Sequence, residues 1–187
     1  KIAALARLVA AGLPVPDGFH VTTAAYQSFV RVHNLEPAIL FELASVDGSQ
    51  PGQVDAASAR IQALFSQAPM PDDIADAIAS EYEHRWPDSP PVAVRSSATT
   101  EDLPDLSFAG QHETYLNIRG AAAVVERVKQ CWGSLWTARA IGYRAQHHIE
   151  TRDSTDLSLA VVVQLLVPAE ASGILFTANP LNGRRDQ

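Results

Sequence analysis

The sequence predicts an α+β fold, mainly helical to about residue 90 and mixed α and β from 91 to 187. Three observations predict it. Apolar side chains recur at helical spacing through most of residues 2–86, with breaks at Gly, Pro and Asp clusters. From residue 92 onward, short β-branched and apolar runs appear at 92–94, 114–118, 157–167 and 174–176. One long helical region, 121–148, separates the second of these runs from the third.

Taken in order, residues 2–11 read as a short amphipathic helix stopped by Gly12 and the Leu13-Pro14-Val15-Pro16 turn. Thr22 or Thr23 is placed to cap a second helix reaching about His33, with Tyr26, Phe29 and Val30 on one face. Residues 35–46 form a third helix and 47–52 a loop. Residues 54–67 carry Ile61, Leu64 and Phe65 at helical spacing. Pro71-Asp72-Asp73 opens a further helix, because missing donors and the dipole favour Pro and acids in a first turn. It runs to about Trp86 and ends in a proline-rich turn.

Val92-Ala93-Val94 is a short buried strand, and a polar loop follows from Ser96 to Gln111. Residues 114–118 alternate as a strand does. The region 121–148 is predicted to break near Gly133-Ser134. Residues 157–167 and 174–176 are strands by composition. No internal repeat or low-complexity tract interrupts this plan.

Composition excludes several classes. A chain of 187 residues with 47% hydrophobic and 19% charged residues can bury a core. A net charge of -7 argues against a general nucleic-acid binder, which needs a basic face. No uninterrupted apolar run is long enough for a membrane span. Cys131 is the single cysteine, so an internal disulfide is impossible and a cytoplasmic setting fits. It lies in an apolar helical run and reads as a buried, inert thiol. The six His show no metal-site spacing, and the three Trp read as packing residues.

Three segments can carry chemistry. In the first, Val92-Ala93-Val94-Arg95-Ser96-Ser97, a buried strand delivers an Arg and hydroxyls. Arg offers a permanent forked set of donors suited to phosphate oxygens, and small residues let backbone N–H groups approach an anion. A capped turn with a surface salt bridge explains the same residues equally well. The second is Ser107-Phe108-Ala109-Gly110-Gln111, a glycine loop that suits either phosphates or a hairpin turn. No Walker A pattern is present. In the third, Gln164 stands alone inside an apolar strand and needs a partner for its amide. An adenine edge or a backbone group can supply one. On the residues alone the structural partner leads.

Several motifs resemble one family. Leu13-Pro14-Val15-Pro16-Asp17-Gly18-Phe19 is similar to its GLPVPPGF turn, and residues 93–104 to its AVRSSATAEDLP segment. Residues 107–117 resemble SFAGQQETYLN. Cys131-Trp132-Gly133-Ser134-Leu135-Trp136, with Arg139-Ala140 and Tyr143-Arg144, resembles the CWASLW…RA..YR helix. Val163-Gln164 with residues 172–180 resembles VVQ.MV…SGVLFTANP. The family is the N-terminal ATP-binding region of pyruvate phosphate dikinase, phosphoenolpyruvate synthase and rifampin phosphotransferase. The wording of residues 107–117 and 172–180 looks closer to rifampin phosphotransferase.

The resemblance implies an ATP-grasp-like nucleotide-binding lobe with a helical N-terminal portion, cut before the second lobe is complete. Residues 1–187 then form a partial domain, with a helical portion at 1–90 and a nucleotide-binding portion at 91–187. It implies that ATP gives its β-phosphate to a histidine on a swivelling domain, releasing AMP and phosphate. That histidine phosphorylates a small molecule on an acceptor-binding domain. Lys1, Arg95, Gly110, Thr114 and Gln164 match the family's nucleotide contacts, and Ser96, Ser97 and Gln111 are neighbours. Lys1 lacks the two glycines of its GGK motif, and Ile2 departs from the usual small or polar neighbour. Mg²⁺ ligands are expected beyond Gln187, and neither a catalytic nor a metal residue falls within the sequence. Both ends read as cuts through structure. The alternative is a stand-alone nucleotide- or partner-binding module without catalysis.

Overall fold

The computed structural model describes residues 2–44, 46, 50–98, 113–146, 157–173, 176, 178–179 and 183–184. Its architecture is a four-stranded antiparallel sheet with the N-terminal helix beside one face and the later helices packed on the other. The strands are β1 (Gly18–Val21), β2 (Val92–Ala98), β3 (Thr114–Ile118) and β4 (Leu159–Leu165), in the spatial order β1-β4-β2-β3. The helices are α1 (Ile2–Ala10), α2 (Thr23–Val32), α3 (Leu35–Ala44), α4 (Pro51–Gln67), α5 (Asp72–Arg85), α6 (Ala121–Gly133) and α7 (Ala138–Gln146). The predicted break near Gly133-Ser134 is one 3₁₀ turn, Ser134–Trp136, between α6 and α7. The α+β class is therefore correct.

Helix boundaries follow local chemistry. Gly12 takes a left-handed φ of 73°, and the Leu13 N–H reaches back to the Leu8 carbonyl at 3.0 Å, which closes α1. Thr22 holds the N-cap position of α2 without a side-chain cap bond. α4 starts at Pro51, so Pro51 and Gly52 lie in the helix and not in the loop predicted for 47–52. Proline suits that place because a first-turn N–H has no helical partner. Pro71 caps α5 from outside, and Asp72 and Asp73 fill its first turn.

Two strand predictions need correction. The sequence reading places no strand at residues 18–21, and they form β1. A four-residue strand is too short to show a period. The other correction is β2, which continues through Ser96 and Ser97 where a loop was predicted. Their backbones pair with Val161 and Ala160 of β4, and this ladder overrides the loop preference of serine. The strand predicted at 157–167 is β4, trimmed at both ends. The strand predicted at 174–176 and the helix end at His147-His148 fall largely outside the described residues.

The core lies between the sheet and the helices. Val92, Val94, Leu159, Val161 and Val163 point one way from the sheet and are fully buried. Against them packs an aromatic cluster. Phe29 stacks on Phe65 at 5.7 Å between centroids and meets Trp132 at 5.2 Å. Trp136 Nε1 donates to Tyr26 Oη at 3.3 Å. Burial raises the Tyr26 pKa well above the usual tyrosine range. Each such side chain contributes about 1.5–3 kcal/mol by leaving water. Trp86, Trp132, Trp136 and Cys131 are all buried, as predicted.

Tyr82 fixes the start of β2. Its buried hydroxyl donates to the Pro90 carbonyl at 3.0 Å and accepts from the Gly120 N–H at 3.1 Å. One side chain of α5 thereby ties the approach to β2 to the start of α6. The register of β2 then decides which residues reach the sheet's other face.

Candidate functional site

Antiparallel pairing puts directly opposed residues on the same side of a sheet. Val94 opposes Val163, and both belong to the core. The alternate residues therefore face away from the helical core. They form three cross-strand rows. Ser97 opposes Ala160. His20, Val162, Arg95 and Thr114 run across all four strands. Gly18, Gln164 and Ala93 form the third row. Arg95 and Gln164 are diagonal neighbours, so their Cα atoms are about 7–8 Å apart.

Gln164 is 7% exposed, and its amide has a definite orientation. Its Nε2 donates to the Pro16 carbonyl at 3.0 Å. That carbonyl can only accept, so the NH₂ end must face it and Oε1 is left as an acceptor. The strand partner of Gln164 is Gly18. A Cβ on Gly18 would stand 2.5 Å from the Val163 carbonyl oxygen and 3.0 Å from Gln164 Cα, so glycine is required for β1 to lie against β4.

The turn before β1 is held from outside. Arg85 Nη1 donates to Asp17 Oδ1 at 2.7 Å, while its Nε and Nη2 donate to Glu81 at 3.0 and 2.6 Å. The hydrogen bond to Glu81 and that to Asp17 both stabilise the charged guanidinium. The Leu165 N–H donates to the Asp17 carbonyl at 2.8 Å. α5 thus anchors the turn that orients the Gln164 amide.

A groove of about 460 Å³ opens beside this face. One wall is α1, through Ile2, Leu5 and Val9; the floor includes Gly18, Val162 and Gln164. Such a volume lies within the range of small-molecule sites. Of the polar groups on this face, Gln164 lines the groove, while Arg95, Ser97 and Thr114 lie on the strands beyond it. Arg95 is half-buried, which keeps a guanidinium available to an anion.

The structure brings Arg95, Ser97, Thr114 and Gln164 to one face. Ser96 lies on the other, in the row of Val161, where its Oγ donates to the Glu113 carbonyl at 3.1 Å. Lys1, Gly110 and Gln111 lie outside the described residues. Sequence reasoning missed Gly18 and His20, which share the face. The Gly-Phe-His-Val alternation after Pro16 is the signal that could have found them. Among the described residues, no group of three or more His, Cys, Asp or Glu could hold a metal, and no helix is long and apolar enough to cross a membrane.

Known proteins carry similar sequences. The family described as the AMP/ATP-binding domain of pyruvate phosphate dikinase matches residues 1–187. The phosphoenolpyruvate synthase of Aeropyrum pernix is 44% identical over 100% of this chain and 23% of its own length. The rifampicin phosphotransferase of Streptomyces sviceus is also 44% identical, over 93% of this chain and 20% of its own length. That of Bacillus subtilis is 40% identical over 93% of the chain. The equal identities do not favour the rifampicin enzymes, contrary to the wording of the motifs. The chain spans about a quarter of the length of the curated relatives it matches, or less. A match along the whole sequence, joined to a sheet face carrying a cation and an oriented amide, shows that the chain belongs to the pyruvate phosphate dikinase AMP/ATP-binding domain family.

Proposed function

We propose that this chain is the ATP-holding part of a dikinase-type phosphotransferase. The observation that carries the reading is the convergence of Arg95, Ser97, Thr114 and Gln164 on one face of the sheet, in a member of an AMP/ATP-binding family. Arg95 holds phosphate oxygens, and Thr114 and Ser97 offer hydroxyls beside it. Gln164 presents Oε1 to a donor on the base. Lys1 and Gly110 complete the contacts with the triphosphate, with Gln111 nearby. Ser96 supports the strand from its other face.

In this reading the sheet and its helices are the first lobe of an ATP-grasp-like clamp. Residues 1–90 supply the helical portion and 91–187 the nucleotide-binding portion. The β-phosphate passes to a histidine on a swivelling domain, and from it to pyruvate or a rifampin-like antibiotic on an acceptor domain. Support for these further parts is the greater length of the relatives. Phosphoryl transfer needs Mg²⁺ to offset developing charge. In this reading the ion's ligands belong to the second lobe, as the family resemblance implies. A cytoplasmic setting fits a sequence whose single cysteine, Cys131, is buried and cannot form an internal disulfide.

Arg95→Ala tests the reading. Loss of a charge-assisted contact of about 1.5–3 kcal/mol predicts more than tenfold weaker ATP binding by calorimetry. Unchanged affinity would remove Arg95 from the site. The division of labour has its own test. ATP and Mg²⁺ added to these 187 residues should release little AMP; robust AMP production would overturn the assignment of chemistry to other domains.

A further inference from the structure

The layer of helices behind the sheet carries a cation that the proposed nucleotide site leaves unused. Arg144, near the end of α7, is 3% exposed. Its guanidinium carbon lies 5.1 Å from the centroid of the Trp136 ring. Its Nη2 is buried without a hydrogen-bond partner among the described residues. Burial pushes its pKa down to about 10, with the Tyr26 phenol opposing, and the group stays charged at neutral pH.

A buried cation with an N–H group that makes no hydrogen bond is a costly arrangement. An aromatic face offsets part of the lost hydration, and a guanidinium still has several N–H groups to satisfy. Arg144 also lines a groove of about 410 Å³ between α3 and α7. Its other walls among the described residues are aliphatic, chiefly Leu40 and Leu43 of α3, Val46, and Ile141 of α7. The groove therefore combines one positive charge with hydrocarbon walls.

That combination selects a chemical class. One guanidinium balances one negative charge and matches the two oxygens of a carboxylate. A phosphate dianion would bring more charge and hydration than these walls can replace. An anion as small as chloride would leave the aliphatic space empty. We propose that the α3–α7 groove is a second ligand site, for a small aliphatic carboxylate paired with Arg144. Its hydrocarbon part packs against Leu40, Leu43 and Ile141. The site lies on the helical side of the molecule, apart from the sheet face that carries Arg95 and Gln164.

Sodium hexanoate, acetate and chloride serve as probes at constant ionic strength, read by thermal unfolding and calorimetry. Hexanoate should bind saturably and raise Tm, because a ligand of the folded state stabilises it. Acetate, which lacks most of the hydrocarbon, should bind at least tenfold more weakly. Arg144→Met should abolish the hexanoate response and leave ATP affinity unchanged. The unliganded variant should be at least as stable as the parent, since it removes an unpaired buried charge. Leu43→Trp, which fills the groove and keeps the cation, should also abolish the response. The proposal fails if hexanoate gives no saturable response, if chloride or acetate equals hexanoate, or if both variants respond as the parent does. Arg95→Ala should leave hexanoate binding intact, so failure at one site is distinguishable from failure at the other.

Discussion

The two faces of the sheet are made from alternate residues of the same strands. On the helical side stand Val92, Val94, Leu159, Val161 and Val163, all fully buried. On the other side stand His20, Arg95, Ser97, Thr114, Val162 and Gln164. The first set does its work by leaving water, and any close-packed apolar set of equal volume would serve nearly as well. The second set, Val162 apart, carries polar groups, and their use in the proposed function lies in what they can still bind. Substitutions on the core face should therefore change stability, and substitutions on the polar face should change affinity.

The largest effect is expected deep in the core. Phe29 is fully buried and contacts both Phe65 and Trp132. Phe29→Ala removes a large ring and leaves a cavity, at a cost of about 3–5 kcal/mol. Urea unfolding monitored by tryptophan fluorescence reads this directly. A loss below about 1 kcal/mol would mean that the cluster collapses around the gap, and that the two faces differ less than their burial suggests.

Gly18 is where the two faces meet, so its substitution should affect both properties. The Cβ of Gly18→Ala would stand 2.5 Å from the Val163 carbonyl, and β1 must move away from β4. A backbone clash of this kind costs on the order of 1–3 kcal/mol. The same movement displaces Pro16, the acceptor that orients Gln164. Both Tm and ATP affinity should fall in this variant. A fall in Tm with unchanged affinity would separate the β1 turn from the binding face.

Legibility in the sequence divided along similar lines. The helices were readable because a 3.6-residue period over ten or more positions survives small errors of boundary. Arg95 and Gln164 were readable because each interrupts an apolar strand, where a polar group needs a reason. β1 was not, since four residues carry no period. Nor was the length of β2, because Ser96 and Ser97 prefer loops until β4 lies alongside. The need for glycine at position 18 exists only once the Val163 carbonyl is opposite it. A residue's face was therefore legible from alternation, while its neighbours depended on a register that no local pattern encodes.

The smallest effect on stability is expected from Gln164→Leu. The side chain is buried, yet its one hydrogen bond within the described residues is to the Pro16 carbonyl. Losing a neutral bond of this kind costs about 1 kcal/mol, and an aliphatic replacement of similar size recovers part of that beside Ala93 and Val162. Stability should therefore change by less than about 1 kcal/mol. Affinity should respond differently. If Oε1 accepts from the base, Leu removes that acceptor and leaves the ligand's donor without its partner on the protein. The expected loss is about 0.5–1.5 kcal/mol, or roughly two- to tenfold in Kd. Gln164→Glu separates the two roles of the amide: it keeps an acceptor for the base but sets a carboxylate against the Pro16 carbonyl. It should destabilise the fold more than Leu does. A Leu variant that binds ATP like the parent but unfolds several kcal/mol more easily would show Gln164 to be a strand-to-turn brace, and would move it from the binding face to the structural one.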